Sequence, residues 1–152
     1  MKLAEALILR SDYQKRIEQL KNRLIVNAKT QEGEEPNEDP KELRKELSNV
    51  LSELKELIQK INYTNSKTTF EAGKTLADAL TEREMLGHER KIYSDLIEHA
   101  SVRHERYSRS EIKYVASINI KETQKYVDEL SQKYRVLDTK IQELNWLTVI
   151  ES

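Results

Sequence analysis

Three histidines are the first residues in this chain that could do chemistry. His88 and His99 stand eleven residues apart, about 16 Å along a helix and too far to share a metal ion. His99 and His104 fall on different faces of a helix. Glu84 with His88, and Asp95 with His99, are i,i+4 pairs, whereas a di-iron bundle pairs Glu with His at i,i+3 and needs that motif twice. The histidines therefore read as surface or interhelical side chains. Cysteine is absent, which excludes a thiol nucleophile, a disulfide framework and a zinc knuckle. No P-loop, Gly-rich dinucleotide motif or nucleophile elbow occurs. No catalytic residue, metal ligand or cofactor is assigned, and the chain reads as non-enzymatic.

Two other constellations invite a binding reading. Arg103, Arg106, Arg109 and Lys113 are interleaved with Tyr107 and Tyr114, a pattern that can hold phosphate or single-stranded nucleic acid. Glu105 and Glu111 dilute it, and cations also favour a helix C-terminus. It reads as a solvated helix end, with no nucleic-acid partner expected. The second set is polar residues beside apolar stripes: Asn62 and Asn65 after Ile61, and Gln142, Asn145 and Trp146 around Leu144. Buried amides often fix register or oligomeric state. These five residues are the candidate ligand-binding site, or else a polar seal over two helix ends, with the Trp146 ring covering the amides.

Four helices must position these groups. Leu3, Ala6, Tyr13, Ile17, Leu20 and Leu24 recur at helical steps and predict a helix from about residue 2 to about residue 30. Gly33, Pro36 and Pro40 interrupt the pattern. Asp39, Pro40 and Glu42 form a restart signal. Leu43, Leu47, Val50, Leu54, Leu57 and Ile61 then carry the second helix to about residue 61, and Leu51 and Ile58 widen its apolar face. Residues 67–75 can form a small hairpin with Gly73 in its turn. Thr75 and Asp78 open a third helix, about 76–107, whose stripe is broken by Arg83 and Arg90 and weakened by Gly87. Residues 111–117 alternate and read as a short extended or β segment. Asn119 and Glu122 start the last helix, with Val127, Leu130, Tyr134, Leu137, Ile141 and Leu144 on its stripe and an end near Trp146 or Leu147. The fold class is mainly α: four long antiparallel helices, as an up-down bundle or two packed coiled-coil hairpins, in one helical domain spanning residues 1–152.

Composition agrees. Charged residues make up 35% of the chain and apolar residues 37%, which suits long helices with a narrow buried stripe. The net charge is −1, so no global field favours nucleic acid or anionic lipid. Residues 1–30 nevertheless hold seven Lys/Arg against three acids, and residues 32–46 hold seven acids against three bases. The first helix and its acidic connection are therefore expected to attract each other. Glu5, Arg10 and Asp12 interrupt the N-terminal apolar run too early for a secretory signal. No stretch reaches the roughly 18 apolar residues of a membrane span. A cytoplasmic protein is expected.

The stretches "MKLAEALILRSDYQKRIEQLKNRL", "EGEEPNEDP", "INYTNSKTTFEAGKTLADAL" and "LDTKIQELNW" resemble a family of small bacterial helical proteins with no established function, some of whose members are labelled septicolysin. The resemblance implies a bacterial source and a helical fold. Its toxin label implies pore formation, which a strand-like segment of seven residues is too short to support in a barrel. Three readings stand in order: a self-associating helical protein, most simply a homodimer; a small-ligand-binding module or enzyme using the asparagine-rich helix ends; and a membrane-active, septicolysin-like toxin.

Overall fold

The computed structural model describes residues 1–101 and 113–150. The fold is mainly α, with four helices and one small antiparallel sheet among the described residues. Helix α1 spans Leu3–Val26 and α2 spans Pro40–Lys67. Strands β1 (Thr69–Glu71) and β2 (Lys74–Thr75) follow, then α3 (Leu76–Ala100) and α4 (Ile120–Leu147). The chain forms two compact units. One holds Met1–Thr75 and the residues from Gln142 onward; the other holds Leu76–Ile141.

The first unit is built on an antiparallel α1–α2 hairpin. Leu20, Leu43 and Val50 form its buried centre, with Tyr13, Ile17, Leu24 and Leu47 packed around them. These are the residues whose periodicity predicts the helices. Asp39 accepts a hydrogen bond from the Lys41 N–H at 3.0 Å, and Pro40 takes the first helical position. Helix α2 runs about two turns beyond the expected end at residue 61. Asn62, Asn65 and Ser66 have modest helix propensity, but the buried Ile61 and Thr64 hold the extra turns on the same face. Thr68 ends the helix by returning both its N–H (2.9 Å) and its hydroxyl (2.7 Å) to the Thr64 carbonyl. The predicted hairpin is present, with Gly73 at φ 76° in its turn. Only glycine adopts that left-handed conformation without strain.

The charge asymmetry is resolved inside this unit. The Arg23 guanidinium makes a forked contact with the Glu38 carboxylate, its Nε reaching Oε2 at 3.1 Å. Arg16 donates to Glu46 at 2.8 Å. The hydrogen bonds from Arg23 hold the Glu38 carboxyl below its ordinary range. The two chain ends are also stitched together here. The Leu3 N–H donates to the Thr148 carbonyl (2.8 Å), and the Ile150 N–H donates to the Met1 carbonyl (2.9 Å).

In the second unit α3 and α4 run antiparallel along a seam of mixed chemistry. Arg83, which interrupts the α3 stripe, donates to Asp138 at 2.7 Å. Arg90 stacks over the Tyr134 ring, 5.5 Å from its centroid. Tyr93 and Tyr126 meet edge to face at 5.1 Å. Gly87 lies beside Tyr134: a Cβ there would stand 3.4 Å from the ring edge, at the tight end of ordinary contact. Gly87→Ala should therefore fit and should raise stability by up to about 1 kcal/mol through helix propensity. Urea unfolding checks this; a loss of stability would show that the ring cannot yield. Helix α4 opens as expected, with the Glu122 N–H donating to Asn119 Oδ1 at 3.0 Å, and ends at Leu147.

The extended segment expected at 111–117 forms no strand within the described residues: Lys113–Ala116 joins neither helix nor sheet. Tyr114 and Val115, neighbours of opposite phase in an alternating pattern, are both exposed. The alternation therefore has no buried face to fix it. Residues 111 and 112, the expected α3 continuation over 102–107, and the basic–aromatic stretch up to 112 lie outside the described residues.

Candidate functional site

All five predicted site residues belong to the first compact unit, but their surroundings differ. Asn145 is 4% exposed and Asn65 is half-buried, whereas Asn62 and Gln142 are exposed. Trp146 is 54% exposed. The expectation that its ring covers the amides as a buried seal is therefore corrected. In α4, Trp146 follows the buried Asn145 by one residue, and the 100° turn per residue carries its side chain off the packed stripe. Asn62 and Asn65 are helical residues of α2, not members of a turn.

The first unit also carries an open cleft of about 410 Å³, lined in part by Leu9, Tyr13, Glu53, Glu56, Leu57 and Lys60. None of the five predicted residues lines it. Helical spacing puts Glu53, Glu56 and Lys60 on one side of α2, and Tyr13 faces them from α1. The Tyr13 hydroxyl is held protonated above its ordinary value of 10.0, first by burial and then by hydrogen bonding to Glu53 and that carboxylate's charge; Arg16 opposes the shift. The arrangement offers two carboxylates, an ammonium and a phenol beside apolar walls. These residues were not legible as a set, because Tyr13 reads as part of the apolar stripe of α1 and Glu53, Glu56 and Lys60 as the ordinary polar edge of α2.

A second polar feature joins α3 and α4. The Tyr126 hydroxyl donates to the Glu89 carboxylate. That hydrogen bond, with partial burial and the nearby negative charge, raises the phenol above its ordinary value of 10.0. A phenol whose folded value is raised stabilises the fold below about pH 10, and the contribution is lost as pH rises through the folded value. Unfolding midpoints should fall above pH 10, and Tyr126→Phe should flatten part of that fall. An unchanged alkaline profile in the variant would show that the pair does not couple to folding.

Asn27 escaped sequence analysis altogether. It ends α1 and is buried. Its Nδ2 donates to the Arg23 carbonyl at 2.8 Å, and its Oδ1 accepts from the Glu38 N–H at 3.1 Å. An Asn just past the last apolar residue of a stripe is a known C-terminal signal, so the position could have been found.

Among the described residues no helix is long and apolar enough to cross a membrane, and no three His, Asp or Glu side chains are grouped to hold a metal ion. A family model described as "Family of unknown function (DUF6847)" matches residues 10–150. A crystal structure of a functionally unknown conserved protein from Corynebacterium diphtheriae is 46% identical, covers 99% of each chain and has a TM-score of 0.92. No curated protein matches. The septicolysin label finds no support in these similarities, since both are described only as functionally unknown.

Proposed function

Because this chain belongs to DUF6847, a family of unknown function, we infer its role from the surfaces it presents, and we propose a non-enzymatic helical protein that works as a homo-oligomer, most simply a dimer. The observation that carries this reading is a line of apolar side chains on α3. Met85, Ile92 and Leu96 are 52%, 62% and 40% exposed. They recur at i, i+7 and i+11, within about 40° of one another around the helix. Scattered exposed apolar residues are ordinary, but an aligned row costs solubility unless something covers it. Light scattering at micromolar concentration should give about twice the chain mass of 17.9 kDa. A monomer would overturn the proposal.

A second reading, small-ligand binding in the first unit, is favoured by the cleft at Tyr13, Glu53 and Lys60 and by the buried amide of Asn145. Native mass spectrometry of the purified chain should then show a co-purifying small molecule, reduced in either Tyr13→Phe or Asn145→Ala. The bare chain mass alone would count against it.

A further inference from the structure

We propose that α3 pairs antiparallel with α3 of a second copy across a two-fold axis near Ile92. This rests on the self-association reading and names its surface and register.

The apolar row Met85, Ile92 and Leu96 is about 16 Å long, and its centre points away from Arg83, Leu86, Tyr93 and Ile97, with Glu89, which meets Tyr126 of α4, on the border between the two. Leu86, Arg83, Tyr93 and Ile97 are only partly exposed, and Arg83 and Tyr93 contact α4 directly. By helical geometry the centre of the row is displaced by about 115° from the mean direction of those four residues. Among the described residues α4 covers one face of α3 and leaves the other exposed.

The charges beside the row indicate the occupant. Glu84, His88, Asp95 and His99 border it on one flank, alternating between carboxylate and imidazole. In an antiparallel pair each flank meets itself. If His88 lies opposite Asp95 of the second copy, the same alignment puts Glu84 opposite the second copy's His99. Two-fold symmetry then repeats both contacts, giving four carboxylate–imidazole pairs with no like-charged pair among them. A parallel pairing would set this flank against the opposite flank of the second copy and lose this complementarity. The same alignment places Met85 between the second copy's Leu96 and His99 and brings the two Ile92 side chains together at the axis. Isologous contacts of this kind are the commonest route to a dimer. Glu84, His88 and His99 are exposed and Asp95 half-exposed, so all four can be reached. Lys91 donates to both Asp95 oxygens at 3.1 Å, and each oxygen keeps a further lone pair that can accept from the incoming imidazole.

The absence of cysteine makes the test clean. With helices packed about 8–10 Å apart, Cα atoms facing each other at the axis come within the roughly 4.4–6.8 Å that a disulfide needs. Ile92→Cys in the full chain should form a covalent dimer under mild oxidation, whereas Ser52→Cys, on the exposed side of α2, should not. His88→Asp should weaken self-association about tenfold through like-charge contact, and His88→Asp with Asp95→His should restore it. Circular dichroism confirms that each variant is folded. A wild-type dimer with no Ile92→Cys cross-link would overturn the α3 surface while leaving self-association standing. A wild-type monomer would overturn both. A cross-link with no effect of His88→Asp would overturn the register.

Discussion

Leu20→Ala should cost about 2–5 kcal/mol of unfolding free energy. The side chain is 1% exposed and forms the centre of the α1–α2 hairpin with Leu43 and Val50. Truncation removes its transfer free energy and leaves a void between two helices. The surrounding side chains and the connection over residues 27–39 limit how far the two helices close the gap. The lower end of the range applies if Tyr13, Ile17 or Leu24, which are only partly buried, swing in. Urea denaturation measures the loss. A change below about 1 kcal/mol would mean that this centre is not tightly packed.

Asn27→Ala should cost about 1–3 kcal/mol, because it orphans one backbone N–H and strips a donor from one backbone carbonyl. The Glu38 N–H loses its acceptor, and the Arg23 carbonyl loses one of its two donors. The loop of residues 27–39 has few other internal ties, among them Thr30 to Glu34 and Glu34 to Gln31. Proteolysis within that loop should accelerate in parallel with the fall in stability. Asn27→Asp keeps the acceptor but not the donor and should recover about half of the loss. If Asn27→Ala is as stable as the parent chain, water replaces both contacts without cost.

Much of this architecture is legible in the sequence because it follows from period and punctuation. The stripes of α1, α2 and α4, the Asp39–Pro40 and Asn119–Glu122 helix starts, and the Gly73 turn are local signals, and each appears where spacing puts it. What was not legible depended on tertiary burial. The stretch Asn62–Lys67 reads as a turn from propensity, yet Thr64 is buried and the helix continues. Residues 113–116 alternate like a strand, but nothing pairs with them among the described residues. Trp146 has the composition of an anchor, yet it sits one step off the packed face. The interruptions of α3 were visible as Arg83 and Arg90, but their purpose was not. Asp138 and Tyr134 answer them from α4, more than forty residues away in sequence, where no periodicity can point.

The stitch between Met1–Leu3 and Thr148–Ile150 bears on the order in which the molecule assembles. The α1–α2 contacts join residues close in sequence, so their loop-closure entropy is small. The terminal stitch instead joins residues separated by nearly the full length of the chain; its Lys2 Nζ to Leu147 carbonyl contact, at 3.5 Å, spans 145 residues. Such a contact is unfavourable until the intervening helices are already placed. The contacts of residues 1–3 with residues 148–150 are therefore expected to be among the last to form, and hydrogen exchange at Leu3 and Ile150 would report on that closing step.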